Sequence, residues 1–189
     1  MATTETVTLP LGATAPHFDL VASDGTRASL DDFAEAKTFV YVQGCNHCPY
    51  VVANIGRLAE LARHYQPHGV RFVMVNSNDA DRYEDDSFEA MGRFAAEHDL
   101  PFPYLHDPEQ EVALAYRTVR TPEVLVFDAE RRLRYHGRID DSAKDPSAAS
   151  SHELRDALDA LLDGRAPDPA ETWAVGCTVK WRPDRNPHA

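Results

Sequence analysis

Two apolar runs, "KTFVYVQG" (37–44) and "VRFVMVNS" (70–77), bracket a stretch whose apolar residues return every three or four positions: Val51, Ile55, Leu58, Leu61 or Ala62, and Tyr65. Short continuous apolar runs read as strands buried on both faces, and the period between them is that of one helical face. Strand, helix, strand in that order is a βαβ unit, which commits the chain to a sheet covered by helices. The helix is predicted to start at Cys48 or Pro49, since proline is favoured in a first turn, and to stop around Gln66-Pro67, ahead of Gly69.

Local signals place the other elements. "HFDLVASDGTRASLDDF" (17–33) reads as two short strands around an Asp24-Gly25 turn. "DDSFEAMGRFAAEHD" (85–99) opens with Asp86 and Glu89 at capping-box spacing and turns helical, and "DPEQEVALAYRT" (107–118) is a shorter helix. Residues 123–140 read as two strands joined at Ala129 and Glu130. Ser150 and Glu153 form a second box-like start, for a helix carrying Leu154, Leu158, Leu161 and Leu162 and ending at Gly164. Strands alternating with helices make the class α/β. The length of 189 residues suits a single core without disulfide staples. A domain is expected over 1–166, with an irregular tail over 167–189.

A net charge of −12, with three lysines among the 19 basic residues, argues against nucleic acid or an anionic membrane as partner. No apolar run approaches the roughly 18 residues of a membrane span. The opening "MATTETVTLPLGATAPHFDL" lacks the basic and apolar regions of a secretory peptide. The expected location is cytoplasmic, where thiols stay reduced. Three cysteines, an odd count, suit a disulfide framework poorly.

The chemistry concentrates in "YVQGCNHCPYV" (41–51). Cys45 follows a buried strand and Cys48 falls at the first turn of the next helix, where unpaired N–H groups and about half a positive charge favour an anion. In such settings thiol pKa values fall from about 8.5 to between roughly 3.5 and 7.5, and a protonated His47 would lower them further. The three-residue spacing lets one thiol attack a mixed disulfide made by the other. A structural zinc site needs a second pair of ligands, and only the distant Cys177 and histidines without ligand spacing are on offer; no metal and no cofactor is expected. Cys-x-x-Cys beside a βαβ pattern is a thioredoxin-like redox signature. "RTPEVLVFD" (120–128) adds Thr121-Pro122 at the mouth of an apolar strand, the bond type in which cis is accessible. The acidic "NDADRYEDD" (78–86) lacks the calcium-loop pattern and reads as a solvated loop. The nine histidines, His136 among them, are scattered and read mostly as exposed.

Taken with "LGATAPHFDLVASDG", "VNSND" and the tail "GCTVKWRP" (176–183), these segments make the chain resemble the thioredoxin superfamily, in its peroxiredoxin-like redoxin branch (alkyl hydroperoxide reductase and thiol-specific antioxidant). The resemblance implies a thioredoxin-like fold: a central mixed sheet flanked by helices, with an N-terminal hairpin extension and a C-terminal tail. By position it implies that Cys45 is an exposed nucleophile, Cys48 the resolving cysteine and Pro122 a cis-proline facing them. Thr121 would offer backbone hydrogen bonds to a bound peptide and keep metals away. Disulfide or thiol substrates, protein or small, an upstream reductant and an antioxidant role are implied with them.

The chain departs from its relatives in places. In the peroxidase pattern Pro-x-x-x-Thr-x-x-Cys, Tyr41 and Cys45 stand for the proline and threonine, and Pro122 for the arginine. The buried carboxylate of thioredoxins falls on Phe39, which leaves His47 and Glu123 as candidates for moving the proton, if they are not simply solvated. Cys177 is either a small hydrophobe in a docked tail or a third redox cysteine. Three functions follow: thiol–disulfide exchange at Cys45 and Cys48; an atypical thiol peroxidase oxidised at Cys48 or Cys45 with Cys177 as resolver; and a copper-binding thioredoxin-fold protein, against which the spacing counts, being one residue narrower than the usual Cys-x-x-x-Cys. Histidine between the cysteines makes a pair more oxidising, while a cytoplasmic address argues for a reducing role.

Overall fold

The computed structural model describes residues 8–187; the expectation for the first residues of the chain falls largely outside them. A seven-stranded mixed sheet runs in the order β2-β1-β5-β4-β3-β7-β8. Its strands are β1 (Asp19–Ala22), β2 (Arg27–Ser29), β3 (Thr38–Gly44), β4 (Val70–Asn76), β5 (Tyr104–His106), β7 (Glu123–Phe127) and β8 (Leu133–Gly137). Strands β3, β4 and β5 are parallel; β1 and β7 join them antiparallel. The helices are α1 (Pro49–Tyr65), α2 (Phe88–Glu97), α3 (Glu111–Tyr116) and α4 (Glu153–Leu162). A separate two-residue ladder joins β6 (Arg120–Thr121) to β9 (Cys177–Thr178).

Every residue of β3 is buried, as its continuous apolar run requires of a strand with neighbours on both edges and layers on both faces. Alternate side chains serve two cores. Val40 and Val42 face α1, α2 and α4 in the cluster that also holds Cys45 and Cys48. Phe39 and Tyr41 face the other way, into an aromatic cluster with Phe18, Phe33, Tyr116 and Phe127. There Tyr41 stacks on Tyr116 with ring centres 4.0 Å apart. Phe39 therefore lies across the sheet from the thiols.

Three expectations need correction. "FPYLH" contains the strand β5, which the sequence did not announce: it is three residues long, follows two prolines, and owes its pairing to β4 and β1. Helix α2 is capped by Ser87, whose hydroxyl accepts from the Ala90 N–H, and Asp86 is buried elsewhere. The box at Ser150 and Glu153 does not form. Ser150 bonds to Asp141, while Glu153 turns to Arg138 and to Ser151.

Residues 167–187 pack against the domain. Thr172 N–H donates to the His136 carbonyl and His136 N–H to that of Ala170. Gly137 (φ +150°) lets this segment approach, since a Cβ there would lie 2.1 Å from Thr172 Oγ1. Further on, Val179 N–H donates to Val119 O, and Lys180 bridges Asn78, Asp79 and Gln110 through its backbone. No helix among the described residues is long and apolar enough to cross a membrane.

Candidate functional site

The site forms where β3 gives way to α1, at the carboxyl ends of the parallel strands, the usual place for a ligand or reaction centre in an open α/β sheet. Cys48 is the N-cap of α1. Its backbone is extended (φ −68°, ψ 121°) and its carbonyl accepts from Val51 and Val52 N–H. Cys45 sits one loop earlier, under the Thr121-Pro122 segment, whose peptide bond is cis. Thr121 touches both sulfurs: its hydroxyl lies 3.6 Å from Cys45 Sγ and its carbonyl 3.1 Å from Cys48 Sγ. All three cysteines are free thiols.

Cys45 is not the exposed thiol that the resemblance implied. It is 1% exposed and Cys48 0%; Thr121 touches both sulfurs, and the tail lies against Thr121. Cys177 lies on β9 directly opposite Thr121, whose carbonyl meets Cys48 Sγ, and it packs against the cluster that holds Cys48. It is partly exposed.

These contacts divide one negative charge unequally. The Cys48 pKa is lowered to about 4, first by the hydrogen bond from the Cys45 thiol, then by those from Cys177 and Thr121, against the opposing effect of burial. Cys45 is pushed well above the ordinary thiol value, because it donates to Cys48, because it is buried and because Asp86 is near. Burial and the same bond to Cys48 raise Cys177 to about 11. The helix N-terminus adds its own preference for an anion at Cys48. In the neutral state Cys48 donates to the Thr121 carbonyl, and once the proton leaves that carbonyl faces the thiolate and opposes it.

Two buried carboxylates hold the loops that carry this chemistry: Asp86, expected to cap α2 at the end of a solvated stretch, and Glu123, expected either to move a proton or to be solvated. Asp86, in the acidic stretch 78–86, is fully buried. It accepts from Asn46 N–H (2.7 Å) and Asn78 Nδ2 (2.7 Å) and lies 2.6 Å from His47 Nδ1. Cys45 Sγ, one ring nitrogen of His47 and an Asp86 oxygen all fall within 4.8 Å of one another. His47 Nδ1 is buried and, among the described residues, has no hydrogen-bond partner despite that close approach to Asp86. His47 also stacks on Tyr83 (5.5 Å, 6° between planes), and the Tyr104 hydroxyl donates to Asn46 Oδ1.

Glu123 is the second carboxylate. Its Oε2 accepts from both Val119 and Arg120 N–H at 2.8 Å, and its Oε1 lies 2.6 Å from His136 Nε2. Glu123 thus fixes β6 and the Thr121-Pro122 segment, and His136 is buried with it.

The Redoxin family model matches residues 10–152, a range that holds both cysteines of the pair, Thr121 and Pro122 but stops short of α4 and the tail. An uncharacterized conserved protein from Geobacillus kaustophilus superposes with a TM-score of 0.87 at 42% identity, over 92% of this chain and 93% of that one. A hypothetical protein from Sinorhizobium meliloti 1021 does so with a TM-score of 0.88 at 33% identity, over 94% and 97%. Among curated proteins, the thiol-disulfide oxidoreductase ResA of Bacillus thuringiensis subsp. konkukian is 24% identical over 131 residues, 66% of this chain and 68% of that protein.

Proposed function

We propose that this chain, which belongs to the redoxin family, is a thiol–disulfide oxidoreductase that works through a mixed disulfide at its Cys-x-x-Cys pair. The observation that carries the reading is the placement of the pair: Cys48 caps α1, where a helix N-terminus favours a thiolate, Cys45 stands one loop earlier to resolve what it forms, and the cis Thr121-Pro122 segment touches both sulfurs. The thiolate is the reactive form of cysteine, so Cys48 is the attacking sulfur and Cys45 the resolving one, the reverse of the roles implied by resemblance.

In the first step the Cys48 thiolate attacks a substrate disulfide. A Cys48–substrate S–S bond forms, the substrate's own S–S bond breaks, and the departing sulfur takes up a proton. In the second step Cys45 gives up its proton and attacks Cys48, which forms the Cys45–Cys48 bond and releases the second substrate thiol. His47, which has a ring nitrogen within 4.8 Å of Cys45 Sγ, is the nearby group proposed to take that proton. The substrate ends as two thiols and the pair as a disulfide; an upstream dithiol restores the pair by the reverse exchange. Substrates are thiols and disulfides of proteins or small molecules.

Rapid mixing of the reduced protein with oxidised glutathione tests this. Cys48→Ser is expected to abolish release of the first glutathione, and Cys45→Ser to keep it. Loss with Cys45→Ser and retention with Cys48→Ser would reverse the roles; retention in both would overturn the exchange reading.

A further inference from the structure

The strand β6 runs beside the dithiol, and its backbone edge is the natural place for an extended peptide to add by strand pairing. In this chain that edge is occupied. Thr121 pairs with Cys177 and Arg120 with Thr178. Val179 N–H donates to Val119 O, and the Arg120 guanidinium donates to the Gly176 carbonyl. Gly176 is required at the crossing, because a Cβ there would lie 2.2 Å from Thr121 O. The occupant sets Cys177 opposite Thr121, whose carbonyl lies 3.1 Å from Cys48 Sγ, and packs it against the cluster that holds Cys48. It also makes Cys177 the one cysteine of the three that is not buried.

We propose that the segment Gly176–Thr178 is a tethered substrate of the dithiol, and that Cys177 is the sulfur through which an upstream dithiol reductant reaches the buried pair. The inference rests on the exchange reading above. From the Cys45–Cys48 disulfide, Cys177 attacks Cys48: the Cys177–Cys48 bond forms, the Cys45–Cys48 bond breaks, and the Cys177 proton passes to Cys45. The reductant's thiolate then attacks Cys177, where solvent reaches. Its bond to Cys177 forms, the Cys177–Cys48 bond breaks, and Cys48 departs as a thiolate. The reductant's second thiol closes its own disulfide and frees Cys177 as a thiol. Cys48 is suited to be that leaving group, since thiols of low pKa leave fastest. The two-residue ladder of β6 and β9 is short enough to open locally, so an outside peptide can take the same edge when β9 lifts.

Counting glutathione released from oxidised glutathione, with mass mapping of the products, tests the assignment. Cys45→Ser is expected to release two equivalents and end with a Cys48–Cys177 bridge. The Cys45→Ser/Cys177→Ser double variant is expected to stop at one, glutathionylated at Cys48. A docked thiol has an effective concentration on the order of mM or more; with about 0.1 mM glutathione the bridge should exceed the adduct roughly tenfold. Gly176→Val in the Cys45→Ser background keeps both remaining thiols but obstructs docking, and should shift the product toward the adduct. A Cys45→Ser protein that stops at one equivalent with a Cys48 adduct would overturn the tethered-substrate inference while leaving the exchange reading intact. No release from Cys45→Ser at all would overturn the tethered-substrate inference together with the assignment of Cys48 as the attacking sulfur.

Discussion

The two carboxylates that flank the dithiol are built alike and act differently. Asp86 and Glu123 each lie 2.6 Å from a histidine nitrogen and each hold backbone N–H groups, Asp86 on the loop of Cys45, Glu123 on the segment of Thr121. Asp86, however, is within 4.8 Å of Cys45 Sγ and contributes to raising that thiol's pKa, and its histidine is partly open to solvent (24%). Glu123 has its oxygens engaged by Val119, Arg120 and His136. The same hydrogen-bonding device serves electrostatics on one side of the thiols and architecture on the other.

The largest effect that tests this contrast is on stability. Glu123→Ala leaves two strand N–H groups and a buried histidine without their acceptor, and breaking such a buried pair costs roughly 3–5 kcal/mol, readable as a lower urea midpoint. Asp86→Asn should cost less, about 1–3 kcal/mol, because the amide oxygen can still accept from Asn46 N–H. Its distinguishing effect is redox. Without the negative charge the one thiolate shared by the reduced pair is less opposed, the reduced form gains on the uncharged disulfide, and the midpoint potential rises by about 30 mV for each 1.4 kcal/mol. Glu123→Gln should leave the midpoint in place; an equal shift in both variants would erase the contrast.

The pH dependence sharpens it further. An unfolded thiol has a pKa of 9.0 and Cys48 in the fold about 4, so the Cys48 thiolate contributes stability that is full above about pH 9 and lost progressively as pH falls toward about 4. The reduced wild type should therefore lose its advantage over Cys48→Ser as acid is added, while its thiolate absorbance persists well below neutrality. The smallest effect is expected from His47→Phe. The ring can still stack on Tyr83, so stability should change by less than about 1 kcal/mol. The second exchange step should nonetheless slow, visible as delayed release of the second glutathione.

What the sequence disclosed and what it hid follow from contact range. The βαβ unit, the cysteine pair at the helix start and the proline before an apolar strand are local patterns, and each stands where its pattern placed it. Asp86 was hidden because its partners Asn46 and His47 lie some forty positions away, and because Asp86 and Glu89 imitate a capping box that Ser87 in fact supplies. Glu123 reads as a solvated acid at a strand start until the fold brings His136 beside it. Cys177 could be named as a candidate, but only the pairing of β9 with β6 sets it against Cys48.

The central claim, a single redox-active dithiol at Cys45 and Cys48, is tested most directly by equilibrating the full-length protein in graded glutathione buffers, trapping thiols by alkylation and mapping them by mass. The account predicts one two-electron transition in which Cys48 loses its thiol together with one partner, Cys45 or, by exchange, Cys177. Thiols at Cys48 that remain alkylated after unfolding across the whole range, or a Cys48 that oxidises alone to a sulfinate without passing through a bridge, would contradict it.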